Sequence, residues 1–297
     1  MPSERDIRTR IRSVRNVSQI TRAMEMVAAS KMRRAQQRVG ASRPYSERLR
    51  AMLADVAAMA SGADAQEYPL LRQRPVRRVE VILVTGERGL AGSLNSNIIR
   101  RTTRFLVDEM ESQHVEAQLI TVGRKGRDFM RRYQREIAAE FIAIGDRPTL
   151  AEVTPIARIA MDDYINERVD AVYIAYTRYV NTLTQRPELV KILPIEPPEE
   201  QQRQKGKYGE YLFEPSAGAV LEQILPRFVE ISVYQAILES IASYYSAQMV
   251  AMRNATDNAK TVVSELRLAL NKARQTRITN EVAEISAGAN ALGEVAG

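Results

Sequence analysis

Three glycines, Gly86, Gly89 and Gly92, stand in the run GERGLAGSLNSN directly after an apolar stretch, a place where a chain could cradle a phosphate. The spacing is GxxGxxG rather than GxGxxG, and no Gly-Lys-Ser/Thr follows, so a tight turn whose glycines admit positive φ angles is the better account. Asp108 and Glu109 lie at about the sequence distance of a ribose-binding carboxylate, but the pattern puts them on the helix after the turn and not at a strand end. Asp162-Asp163 and Glu199-Glu200 are adjacent pairs whose side chains diverge on a helix or lie in a loop. They read as solvated groups and not as a general acid/base pair. The chain has no cysteine, which excludes disulfides and thiolate metal sites, and the single His114 leaves no basis for a histidine metal site or a nucleophile–histidine pair. No cofactor or metal is expected.

Charge gives a second clue. The formal net charge is +7 over 297 residues, but residues 1–50 alone hold 13 Lys or Arg against 4 Asp or Glu. A basic helix implies an acidic partner, whether nucleic acid, anionic lipid or protein, or else a solvated arginine-rich face. No recognition motif and no interleaved aromatics accompany this face, which argues against nucleic acid. No stretch reaches the roughly eighteen uncharged apolar residues of a membrane span. The opening MPSERDIRTRIRSVR mixes Glu4 and Asp6 with arginines and has no apolar core behind it, so it reads as mature, intracellular sequence.

The elements that would carry these groups fall into three regions: 1–60, 76–196 and 216–297. The first predicts a helix from 3 to about 58, with Ile7, Ile11, Val14, Val17, Ile20, Met24 and Val27 as its apolar stripe, Ser3 and Asp6 as a capping box, and a kink or interruption at Pro44. The middle region alternates strands and helices: strands at 79–85, 117–123, 136–145, 170–180 and 188–195, and helices at 94–111, 125–133 and after Thr149. That pattern predicts a small open-sheet α/β domain. Residues 196–210 are polar and Pro/Gly-punctuated, a surface loop or linker.

The last region, from Leu221 to Leu292, predicts one helix of roughly seventy residues, on the order of 100 Å long. Its apolar positions are Leu221, Leu225, Phe228, Ile231, Leu238, Ile241, Tyr245, Met249, Met252, Val262, Leu266 and Leu270. So long a helix needs a partner along its length, and the N-terminal stripe can supply one if the two run antiparallel. The fold class is therefore α+α/β: a long antiparallel coiled coil of the N- and C-terminal helices with an inserted open-sheet α/β domain. The segment from Ile278 to Ala291, with Glu281, Glu284 and a small-residue end, reads as a tip that something encloses. A mechanical coiled-coil subunit fits best; a nucleotide-binding enzyme built on the α/β domain and a nucleic-acid-binding coiled coil remain as alternatives.

Several blocks, in order, resemble one known family. RIRSVRNVSQITRAMEMVAASKMRRAQ and SRPYSE resemble the opening helix of the gamma subunits of F-type ATP synthase. TGERGLAGSLNSN is similar to their loop S-D-R-G-L-C-G-x-x-N-x-N, and YLFEPS to the segment before their last helix. MVAMRNATDNAK and NKARQTRITNEVAEISAGANA resemble their C-terminal shaft, the latter satisfying I-T-x-E-x-x-E-x-x-x-G-A. The likeness spans essentially the whole chain. Glu87 and Ala91 stand where Asp and Cys are common, Gln248 stands where Arg is frequent, and the cysteine-bearing insertion of chloroplast members is missing.

The resemblance implies a non-catalytic central-stalk rotor that couples proton-driven c-ring rotation to conformational change in the alpha/beta hexamer. Its implied partners are the alpha and beta subunits, the epsilon subunit and the membrane c-ring, with no nucleic acid and no small-molecule substrate of its own. It implies a peripheral location on the cytoplasmic face of a bacterial membrane. It further implies Met26, Lys31, Arg274, Gln275 and Thr279 as shaft contacts, Arg88 facing an acidic loop of a catalytic subunit, and Tyr211 and Glu214 near the membrane ring.

Overall fold

The computed structural model describes residues 3–59, 68–196 and 217–295. The chain divides into two compact units, one formed by Met1–Val27 and Met249–Gly297, the other by Ala28–Gln248. Two long helices, α1 (Glu4–Met59) and α5 (Ala217–Val295), supply segments to both. The α1 helix begins at the expected cap, where the Ser3 hydroxyl accepts from the Asp6 amide at 3.2 Å and the Asp6 carboxylate accepts from the Ser3 amide at 3.2 Å. It continues without a break through Pro44. A proline removes one backbone donor, and Leu49 and Leu53, both buried, anchor the turns that follow.

In the first unit the two helices run antiparallel: Glu4 meets Arg277, Thr21 meets Thr256 and Glu25 meets Arg253. Ile7, Ile11 and Val263 are buried between them, with Val14, Leu266, Leu270 and Ala273 packed alongside. The seam differs from the stripe that the apolar residues suggest. Along α1 the sheltered positions from Ile7 are Ile11, Val14, Ser18, Thr21, Met24 and Glu25, spaced mostly by four and three, while Val17, Ile20 and Val27 are exposed. On α5, Val263 is buried and Val262 exposed. Two stripes, one position apart, both satisfy helical spacing, and only the one that a facing helix covers is buried. The two threonines of the seam, Thr21 and Thr256, tolerate burial because their hydroxyls lie 2.7 Å apart, so that one donates to the other, which in turn donates to a backbone carbonyl of its own helix.

The second unit holds a five-stranded sheet in the order β3-β2-β1-β4-β5. The strands are β1 (Arg78–Val84), β2 (Glu116–Val122), β3 (Ile137–Phe141), β4 (Ala171–Tyr179) and β5 (Gln185–Leu193), all parallel except β5. Val79, Val81, Leu83, Leu119, Ala171 and Ala175 form a core with Ile98, Ile99, Phe105, Leu106 and Met130. These last come from α2 (Leu94–Arg104), the turn after it and α3 (Arg124–Arg132). Ile82, Val84, Ile120, Val122, Val172 and Ile174 pack instead with α4 (Leu150–Ile165), with Leu53, and with Leu221, Leu225, Val229, Val233 and Ile237 of α5. Burial on both sides is why the inner strands read as near-continuous apolar runs.

Three boundaries depart from the sequence pattern. The helix from Leu94 stops being α at Arg104 and widens into a π turn, Phe105–Met110, that places Phe105, Leu106 and Met110 in the core. The third strand ends at Phe141, because Ala143 turns to φ +61° and gives its amide to Glu87. The last strand starts three residues early, as a hairpin partner of β4, and its Pro187 is tolerated on an edge strand. Residues 197–210 of the polar segment lie outside the described residues.

Candidate interaction surfaces and the sheet crevice

The turn after β1 is held by four hydrogen bonds from three places. The Gly86 amide donates to Asn95 Oδ1 at 2.9 Å, and Asn95 Nδ2 donates to the Arg88 carbonyl at 3.1 Å. The Tyr244 hydroxyl of α5 donates to the Gly89 carbonyl at 3.0 Å, while Glu87 accepts from the Ala143 amide at 2.7 Å. Of the three glycines only Gly92 has a positive φ, +58°; Gly86 is needed because a Cβ there would stand 2.9 Å from the Tyr244 ring. The positive-φ account thus holds for one of them, and close approach explains another. The result is a rigid turn that presents the Arg88 side chain, which is exposed, to solvent.

In an open sheet of this strand order, ligands bind in the crevice outside the carboxyl ends of β1 and β4, where the strand order reverses. Here α5 occupies that place. Ser240 Oγ accepts from the Thr177 amide at 3.3 Å, Ser243 Oγ donates to the Thr177 carbonyl at 3.0 Å, and Tyr244 covers Gly86. The residues doing this lie about 150 positions along the chain from the glycine turn, so the sequence offered no local sign of the plug. Of the two carboxylates at ribose distance, Glu109 is tied to Arg101 at 2.9 Å and Asp108 is exposed on the π turn.

The adjacent aspartates diverge as anticipated, but only Asp162 is solvated. Asp163 is buried and accepts from Gln118 Nε2 at 3.1 Å and from Arg168 at 3.0 Å. Gln118 also donates, at 2.7 Å, to Glu80 in the middle of β1, a residue with no exposed surface. Burial pushes the Glu80 carboxyl up to about 7, the Gln118 bond working against this and the Asp163 charge with it. Its inward direction was legible from strand alternation with Ile82 and Val84, but a glutamate inside an apolar run is the sort of exception that patterning does not explain. Glu199 and Glu200 lie outside the described residues.

The shaft residues fall into two groups. Met26 is 63% exposed, near the exposed Val17, Ile20 and Val27 of α1. Arg274, Gln275 and Thr279 are exposed on α5, as are Ile278, Val282 and Ile285. Lys31 is not free: its ammonium lies 2.6 Å from Asp146 and 5.1 Å from the centre of the Tyr245 ring. Tyr211 and Glu214 lie outside the described residues. Among the described residues no helix is long and apolar enough to cross a membrane, and no cluster of three or more His, Asp or Glu is placed to hold a metal ion.

A family model described as ATP synthase matches residues 3–292. The chain is 50% identical over 296 residues to the ATP synthase gamma chain of Roseiflexus castenholzii, covering 99% of this chain and 100% of that one. It is 50% identical over 292 residues to the ATP synthase gamma chain of Dehalococcoides mccartyi, covering 98% and 100%. Among solved structures it resembles a chain of the rotor of the Euglena gracilis mitochondrial ATP synthase, with a TM-score of 0.65 and 20% identity, covering 93% of this chain and 98% of that one. It also resembles a chain of the central stalk and c-ring of the Tetrahymena thermophila enzyme, with a TM-score of 0.61 and 24% identity, covering 80% and 99%.

Proposed function

The chain belongs to the ATP synthase gamma family, a component of that complex, and from this premise we propose that it is the non-catalytic rotor through which c-ring rotation drives the nucleotide-binding subunits. The observation that carries the reading is a helix pair with two sets of apolar side chains. One closes the seam between α1 and α5. The other remains open in the isolated chain in two separate stretches: Val17, Ile20, Met26 and Val27 on α1, and, beyond the level where Glu4 meets Arg277, Ile278, Val282 and Ile285 on α5. Large apolar side chains grouped on the outside of a closed seam mark a surface that another protein covers. An alpha/beta hexamer around the helix pair would supply that cover, with Arg88 on its rigid turn meeting an acidic loop of a catalytic subunit.

Differential contact does the work. The two helices present unlike side chains around their circumference, so each of three surrounding catalytic sites meets a different face at any moment. Only an interaction that differs between site conformations can shift their populations, and turning the helices changes which site receives it. The epsilon subunit and the c-ring are the remaining partners of this reading, at the cytoplasmic face of a bacterial membrane. A nucleotide-binding role on the sheet has less to support it, since α5 fills the crevice where the strand order would place a ligand.

The test is purification of the chain with its native partners, followed by reconstitution in vesicles. Co-isolation with nucleotide-binding subunits is the expected result; isolation alone overturns the rotor. In the complex, replacing Gln275 and Thr279 together with Ala should lower assembly or ATP-driven proton pumping by about ten-fold if two buried contacts of about 0.7 kcal/mol each are lost. Unchanged pumping would remove those two residues from the contact surface.

A further inference from the structure

We propose that Asp146 is a positioning residue that keys α1 and α5 to the sheet of the second unit, so that in an assembled rotor these helix segments turn with the sheet as one body. The inference rests on the rotor reading above.

Asp146 lies in the connection between β3 and α4. Its Oδ2 is 2.6 Å from Lys31 Nζ of α1, and its Oδ1 accepts a hydrogen bond from the Tyr245 hydroxyl of α5. Lys31 Nζ also stands 3.4 Å from that hydroxyl and over the Tyr245 ring, so three elements share one charged cluster. The connection is itself anchored on both sides of Asp146. The Ala143 amide donates to Glu87 on the β1–α2 turn, and the Tyr234 hydroxyl of α5 donates to the Pro148 carbonyl at 3.3 Å. Around the carboxylate stand Lys31 and Arg34 from α1 and Tyr245 from α5. Burial disfavours its charge, but the Lys31 and Tyr245 hydrogen bonds and the two cations hold its pKa below the ordinary aspartate value, so it is ionised throughout the neutral range. Burial first, and then Asp146, push the Tyr245 phenol up, which keeps it a donor.

The other contacts of α1 in this region carry no charge: Ala28 and Met32 are buried beside Lys31. Ala35 and Val39 pack on Leu238 and Ala242, Gln36 reaches the Tyr179 hydroxyl, and Ser42 reaches Gln235. Apolar packing opposes separation but has no direction, and the two polar contacts, Gln36 with Tyr179 and Ser42 with Gln235, are neutral, so they are weaker against a twist or slide than an ion pair. A charge-assisted bond with fixed angle and length does resist such a displacement. The Lys31 and Asp146 side chains are 35% and 47% exposed, so the pair adds little to static stability. Its contribution under load can therefore be separated from its contribution to folding.

The experiment uses the ATP synthase complex containing this chain in vesicles, with ATP hydrolysis and ATP-driven proton pumping measured on one preparation. Asp146→Asn and Asp146→Ala should lower protons pumped per ATP by about two-fold. Hydrolysis should continue, and the melting temperature of the isolated chain should stay within about 3 °C of the parent. The reversed pair, Lys31→Asp with Asp146→Lys, should recover part of the ratio with the melting temperature again unchanged, a change in coupling without a change in stability that a merely structural pair would not give. An unchanged ratio in Asp146→Ala, or no recovery in the reversed pair, overturns the proposal. Failure of the unaltered chain to assemble overturns the rotor reading instead.

Discussion

Glu80 shows how one side chain can set a pH response. Its folded carboxyl titrates near 7 against an ordinary 4.5, so the folded chain holds a proton that the unfolded chain releases between these values. The stability this provides is fully present below about pH 4.5 and is lost as pH rises through 7. Glu80→Gln keeps an acceptor for Gln118 and a donor for Asp163 without a charge to bury. Thermal melts of the two chains should converge near pH 4 and separate toward pH 8, with the variant more stable by on the order of 1–3 kcal/mol. A parent chain no less stable than the variant at pH 8 would show that Glu80 ionises at no cost. At this scale the sequence was least informative. Asp163 and Glu80 differ from solvated carboxylates only in what the fold brings over them, and Lys31 differs from a free shaft lysine only because Asp146 arrives from 115 residues away.

At the scale of elements, periodicity and capping carried most of the fold. The long terminal helices, the five strands and the capped start of α4, where Glu152 accepts from the Thr149 amide at 2.7 Å, all stand close to where pattern places them. What pattern missed was phase. Of the predicted stripe, Ile7, Ile11, Val14 and Met24 are sheltered, but Val17, Ile20 and Val27 are exposed, and from Val14 on the seam also takes in Ser18, Thr21 and Glu25. The Thr21–Thr256 pair is the place to test this seam. Removing one hydroxyl by Thr21→Val strips its partner of a cross-helix bond and should cost about 1 kcal/mol. Replacing both with Val should cost less than the sum of the two single changes, because no buried hydroxyl then lacks its partner. A double-mutant cycle by chemical denaturation measures the difference; strict additivity would mean the two hydroxyls do not interact.

For the whole molecule, the outward apolar residues explain why the chain is written for an assembly. Beyond Ala273 every described side chain of α5 as far as Ala287 is exposed, including Ile278, Val282 and Ile285 at 72%. A helix without packing along its length is held by backbone propensity alone and is marginal in water. Amide hydrogen exchange of the isolated chain should therefore be fast over residues 274–287 and slow over 221–245, whose side chains are mostly buried. Protection of 274–287 should rise by about ten-fold or more on incorporation into the complex. Equal protection in both states would mean that no sleeve encloses this segment.

The sequence by itself determined the local grammar of this protein: two over-long helices, a βα alternation between them, the caps, and a tight glycine turn. Those follow from backbone and side-chain preferences within a few residues of each other. Tertiary structure alone decided which stripe of α1 is covered and which aspartate of a pair is buried. It also decided that Tyr244 and Ser240 close the sheet crevice and that Asp146 is shared by two helices. Each of these depends on two surfaces meeting from distant parts of the chain, and burial, unlike periodicity, is a property of the pair and not of either partner.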